Sequence, residues 1–257
     1  GVECAFYAAF YRVATLGSGA GVAAIYYFNE RGVPYSKGTG LYTIEYMLHK
    51  VSIALFAGIF FILNWGYMQK YYSQYDMTLL IGFGVTFVIA AVLLLFACSK
   101  KFHEVLLWIV RKLNRSGKLT EQVKKLEEQC AILEDAAATL LKRGGLIAGC
   151  ILKNLLKFTF WYGIPFLILA ETGKLTLSQG LAVTSLAMML AAVIPAPAGI
   201  GSSEFVLTML LAKIVGTGAA GSVALLYRFA TFVLPFVIGA VVVVLWRRVH
   251  RSTEKAA

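Results

Sequence analysis

Six side chains offer the most chemistry: Glu204, Arg228, Tyr227, Arg12, His49 and Lys50. Each lies in or beside apolar sequence, where an ionisable group is costly and is kept for a partner or a ligand. A carboxylate at Glu204 either holds a cationic group of a ligand or pairs with Arg228. Arg228 presents a planar fork suited to phosphate, or it snorkels toward the outer interface. Arg12, deep in apolar sequence, is either a second phosphate ligand or the partner of a helix outside these residues. His49 and Lys50 stand as an inner counterpart of Tyr227 and Arg228, with His49 equally readable as a core histidine satisfied by hydrogen bonds. No HExxH, GxSxG or Walker loop occurs, and the three histidines are scattered. The expectation is therefore no catalytic residue, no metal and no cofactor.

The element that must position Glu204 is the run Ala192-Val-Ile-Pro-Ala-Pro-Ala-Gly-Ile-Gly-Ser-Ser-Glu204. Pro195 and Pro197 supply no backbone N–H, and Pro195 biases Ile194 away from helical angles. Gly199 and Gly201 permit tight turning and close approach. Ser202 or Ser203 is expected to cap a new helix with Glu204 in its first turn, where the dipole favours an anion. A second break is expected at Gly17, Gly19 and Gly21. Freed backbone groups at membrane depth are tolerated only inside protein or beside a watery cavity; the glycines also suit close helix packing.

The chain has 257 residues, is 59% hydrophobic and carries a net charge of +11. With a mean hydropathy of +0.75, an ordinary soluble domain is excluded. The fold class expected is all-α: a polytopic helical membrane protein with inverted repeats containing broken or re-entrant helices. No nucleic-acid motif accompanies the positive charge, which gathers in loops as the positive-inside rule requires. Cys4, Cys98, Cys130 and Cys150 form no CxxC pair and are read as reduced and structural.

Three regions follow from hydropathy. Residues 1–98 form a first membrane repeat, and its opening at Gly1 suggests that at least one preceding helix has been removed. Residues 99–145 form a cytosolic linker with ten Lys/Arg against six Asp/Glu. Within it Leu119, Val123, Leu126, Cys130, Leu133, Ala137 and Leu140 keep four-three spacing, so an amphipathic helix lies on the membrane surface or packs on the bundle. Residues 146–257 form a second membrane repeat with a basic tail. Full spans are expected at Leu41–Trp65, Met77–Cys98, Leu146–Ala170 and Gly221–Trp246. Tyr67, Tyr71, Tyr72 and Tyr75 read as an interfacial aromatic belt, and Lys153 and Lys157 as snorkelling side chains. Ser178–Ile194 and Ser202–Val215 are too short for ordinary spans and favour a re-entrant hairpin. With 99–145 and the C-terminus inside, Leu41–Trp65 runs outward and Gly221–Trp246 inward.

The halves resemble each other. A glycine break, a short helix and a long span occur in both; Gly19 to Tyr46 is 27 residues and Gly199 to Tyr227 is 28. Opposite directions of the two long spans make this the pattern of inverted repeats whose broken segments form a midplane substrate site.

Pro195-Ala-Pro-Ala-Gly-Ile-Gly-Ser-Ser-Glu204, followed by Leu225-Leu-Tyr-Arg-Phe-Ala-Thr-Phe-Val-Leu-Pro235 and Gly239, resembles the signature of the lysylphosphatidylglycerol synthase transmembrane region, a flippase-like family. The resemblance covers essentially the whole chain. Its usual first helices are missing, and no aminoacyltransferase domain occurs within these residues, so the likeness is to the translocating half. It implies a bacterial plasma-membrane translocase moving a phospholipid, such as phosphatidylglycerol or its lysyl form, or a glycolipid. The alternative is a non-transporting partner of a separate lipid aminoacyl- or glycosyl-transferase, docked through the amphipathic helix. A lysyltransferase acting alone would need the domain that these residues lack.

Overall fold

A computed structural model describes residues 2–73, 81–82, 84–89, 91–92, 95, 99–113, 120–141 and 143–254, with backbone alone at 113 and over 133–141 and 246–254. The described residues contain helices and no strand. The first part comprises α1 (Val2–Ala14), α2 (Gly19–Asn29), α3 (Tyr35–Leu63) and α4 (Trp65–Tyr72). Then come α5 (Lys100–Leu113) and α6 (Thr120–Leu141). The last part comprises α7 (Gly144–Leu169), α8 (Leu177–Ala191), α9 (Ser202–Val215), α10 (Thr217–Arg228) and α11 (Leu234–Glu254). Half of the expected span Met77–Cys98, including Cys98, lies outside the described residues, as does Tyr75.

Among the described residues three stretches are long and apolar enough to cross a membrane: α3, Pro197–Val215 and Thr217–Leu245. Large apolar side chains stand exposed on them, Ile62 at 72%, Phe205 at 65% and Leu225 at 68% among them. In water that surface would drive aggregation; acyl chains are as apolar as leucine and solvate it. Helix α7 has 26 residues, enough for about 39 Å at 1.5 Å per residue, but Lys153, Asn154 and Lys157 dilute its apolarity.

Two helical hairpins set the architecture. In the first, α1 turns back into α2 through Thr15–Ser18, with Leu16 and Gly17 in left-handed conformation (φ 53° and 105°). Its open ends are tied by Glu3, whose Oε2 accepts from the Tyr27 hydroxyl and from Arg31 Nη2, each at 2.8 Å. The second joins α8 to α9 through residues 192–201. Its first helix opens on a reciprocal cap, the Thr176 hydroxyl accepting from Gln179 N–H and the Gln179 side chain from Thr176 N–H. Helix α8 is the core: Leu181 through Ala187 are all buried. It packs on α3 and α7, whereas α1 packs on α11, and each hairpin's second helix packs on the long helix that follows it. Gly239 makes the α1–α11 contact close: a Cβ there would clash with the Phe6 carbonyl, and Phe10 stacks on Phe236 with centroids 5.3 Å apart.

Several expectations shift. The tyrosine-rich stretch is no interfacial belt over its described part, since it forms α4 and turns inward. Tyr72 is fully buried and donates to the Leu210 carbonyl at 2.9 Å; the ring suits a core once its hydroxyl has an acceptor. Helix α6 packs on α3 and buries Val123 and Cys130, so its apolar stripe belongs to the bundle. An ion pair of Arg111 with Glu127 joins it to α5. Leu133, Ala137, Leu140, Arg247, Arg248 and Arg251 have side chains outside the described set.

Candidate functional site

The second hairpin's turn is built around one carboxylate. After α8 ends, Pro197–Gly199 makes a single 3₁₀ turn, with Ala198, Gly199 and Gly201 at φ 53°, 69° and 83°. The left-handed conformation costs an alanine roughly 1–2 kcal/mol, so the turn needs outside support. Gly201, not Ser202 or Ser203, is the N-cap of α9. Its N–H donates to Glu204 Oε2 at 2.9 Å, and the Ser203 hydroxyl donates to the same oxygen at 2.8 Å. The serines cannot cap because they already lie within the helix; the Ser203 hydroxyl also reaches the Gly199 carbonyl at 2.9 Å, and that of Ser202 at 3.3 Å.

Arg228 closes the turn from outside. Its Nε lies 3.1 Å from Glu204 Oε1, with side chains 15% and 22% exposed. Nη2 donates to the Ala198 carbonyl at 3.0 Å, and the guanidinium lies 3.9 Å over the Phe232 ring. The buried Nε has no aligned acceptor, so its contact with Glu204 is charge against charge. Arg228 ends α10 just before a π turn over Phe229–Val233. Pro235 accounts for this widening, because it lacks an N–H and crowds the carbonyl four residues earlier. The Thr231 hydroxyl donates to the Tyr227 carbonyl at 2.8 Å. Such turns are frequent at functional sites.

The first hairpin's turn meets this one. A Cβ added to Gly17 would lie 3.2 Å from the Ala198 backbone nitrogen and 3.7 Å from the Ala198 Cβ. Gly19 and Gly21, expected in the break, lie on α2 instead. Gly19 N–H donates to the Thr15 hydroxyl at 2.6 Å, and Gly21 packs on the Tyr42 ring.

Beside the touching turns lies a cavity of about 300 Å³. Arg12, Lys50 and Arg228 line it, with Tyr227, Ser202 and Ser203 among the remaining walls. The exposed guanidinium of Arg12 has no ion pair or hydrogen bond among the described residues. Lys50 has the Tyr46 ring at 5.3 Å and no carboxylate partner among them. The N-terminus of α9, with the unbonded first-turn N–H groups any helix has, opens at Ser202 and Ser203. The three cations and this N-terminus attract anions.

His49 stands apart from the lining. Its Nδ1 is 3.1 Å from Lys157 Nζ, which donates to Asn154 Oδ1 at 3.0 Å. An ammonium donor requires Nδ1 to be unprotonated, so His49 serves as an internal acceptor, and Lys157 is engaged rather than snorkelling. Trp161 and Phe232 also line the cavity; only the proximity of Pro165 and Arg228 hints at them in the sequence.

A family model, the lysylphosphatidylglycerol synthase TM region, matches residues 2–239. The chain belongs to this family. As a member of it the protein is membrane-embedded, and its work concerns membrane lipids. The matched span contains every element of both hairpins and the cavity, ending at Gly239, where α1 seats on α11. Comparison with curated proteins and with solved structures returns no match.

Proposed function

We propose that this family member is a lipid translocase, multi-pass in a bacterial plasma membrane, whose two hairpins are inverted repeats re-entering from opposite leaflets. The observation that carries this reading is the meeting of the two broken turns, Gly17 against Ala198, beside a cavity with three cationic side chains. Irregular backbone at membrane depth belongs beside such a cavity, and paired broken segments of inverted repeats form substrate sites. The exchange of partners supports the repeat: α1 lies on the second long helix and α8 on the first. A phosphate enters between Arg12, Lys50 and Arg228 while its acyl tails remain in hydrocarbon. Movement is downhill or coupled to ions. Residues 99–145 and the C-terminus face the cytoplasm.

Binding free energy for the anion must offset its desolvation, and cations without a competing carboxylate contribute to that offset. Glu204 builds and braces the turn and sets Arg228. The alternative, a non-transporting partner of a separate transferase docked through α6, has less apolar surface to use, because α3 covers Val123 and Cys130. The test is leaflet exchange of fluorescent phosphatidylglycerol in liposomes containing the purified protein. Exchange that Arg228→Ala and Glu204→Gln both reduce at least tenfold is expected. Full exchange by both variants, correctly folded, would overturn the site.

A further inference from the structure

We infer that the cavity selects a lipid-borne dianionic phosphate, the chemistry of a phosphomonoester or diphosphate lipid, over phosphodiester and over aminoacylated headgroups. The inference rests on the translocase reading above and concerns the charge its site accepts. Three cations and no carboxylate line the cavity, and Arg228 alone among the three has an ion-pair partner among the described residues, Glu204. Three positive charges against one negative leave a surplus of two. A phosphodiester brings one negative charge, whereas a terminal phosphate brings about 1.5 to 2 at neutral pH, with three strong acceptor oxygens. The surplus resides on Arg12 and Lys50, neither of which has an acidic partner among the described residues.

The acceptors tell the same story from the other side. An amine-bearing headgroup needs a free carboxylate or carbonyl. Both Glu204 oxygens are occupied, one by Gly201 N–H and the Ser203 hydroxyl and the other by Arg228. The Ala198 carbonyl accepts from Arg228. A cationic headgroup would meet like charge with no carboxylate among the lining residues to offset it. The N-terminus of α9 supplies donors for further anionic oxygens.

Isothermal titration of the full chain in detergent with short-chain phosphatidic acid, phosphatidylglycerol and lysylphosphatidylglycerol tests this. Phosphatidic acid should bind at least tenfold more tightly than phosphatidylglycerol, and the lysyl lipid should bind weakest. Arg12→Gln, which removes a side chain without partners and so leaves folding intact, should reduce that preference to less than threefold; Lys50→Gln should do the same. Equal binding of the two anionic lipids, or tighter binding of the lysyl lipid, would overturn the inference, and leaflet exchange would still judge the translocase reading alone. Tight phosphatidic acid binding with no exchange of any lipid would keep the selectivity and remove the translocase. Inorganic phosphate should displace phosphatidic acid only at a concentration at least a hundredfold higher; displacement at equal concentration would make the ligand a free anion and overturn the lipid-borne part.

Discussion

The two turns that meet at the cavity are built by different means. The second, between α8 and α9, is a charged construction. Glu204 ties Gly201 and Ser203 from within, and Arg228 locks it from outside through Glu204 and Ala198. The first, between α1 and α2, is held by local bonds alone. The Thr15 hydroxyl donates to the Tyr11 carbonyl and accepts from Gly19 N–H, each at 2.6 Å, and Gly17 rests on its counterpart. Its charged residue, Arg12, contributes its carbonyl, which accepts from Gly17 N–H at 2.7 Å, while its side chain takes no part among the described residues. One turn uses its charge to hold itself together and the other leaves its charged side chain facing the cavity. Charge count alone therefore does not identify binding residues; the state of each charge's partners does.

Removing Glu204 should break this contrast most severely. Glu204→Ala leaves Arg228 buried and uncompensated and Gly201 N–H unbonded, with an expected loss of about 3–5 kcal/mol. Thermal unfolding in detergent reads it. Glu204→Gln keeps an acceptor for Gly201 but also leaves Arg228 without its counter-charge, so it should recover only the hydrogen-bond share of that loss, about 1 kcal/mol; full recovery would mean that hydrogen bonding, not the carboxylate's charge, holds the turn.

Gly17→Ala comes next. The left-handed conformation alone costs about 1–2 kcal/mol, and the added Cβ pushes against Ala198. Gly32 provides the control, with φ 82° and nothing within 4 Å of an added Cβ. Gly32→Ala should cost the backbone share only. Identical shifts in midpoint for the two variants would deny that the turns touch.

Tyr72→Phe should cost about 1 kcal/mol, the usual worth of one hydrogen bond, and a larger loss would give α4 a greater part in bracing α9. Arg12→Gln should have the smallest effect on stability, within about 0.5 kcal/mol as for a surface change away from special features, while leaflet exchange falls. A large destabilisation would show that Arg12 has a structural partner after all.

The helical breaks were legible because proline and glycine act locally. Pro195, Pro197, Gly199 and Gly201 announce a turn whatever surrounds them, and long apolar runs announce membrane helices. The pairing of Glu204 with Arg228 was one of two readings that charge at membrane depth allows. Other features depend on distant contacts. Tyr72 looked interfacial because tyrosine suits both an interface and a core with an acceptor, and the acceptor, Leu210, is 138 residues away. Gly19 and Gly21 looked like part of the first break, yet α2 starts at Gly19 because Thr15 supplies its first acceptor. The engagement of Lys157 with His49 is likewise long-range, 108 residues apart.

Cross-linking tests most directly whether the turns meet at the site and whether that contact takes part in translocation. An added Cβ on Gly17 lies 3.7 Å from the Ala198 Cβ, within the 3.5–4.5 Å span of disulfides. The variant Gly17→Cys/Ala198→Cys, in a background with Cys4, Cys98, Cys130 and Cys150 changed to Ala, should cross-link on mild oxidation. Oxidised protein in liposomes should then stop exchanging lipid between leaflets and recover on reduction. Failure to cross-link in folded protein, or full exchange by the cross-linked form, would contradict the account.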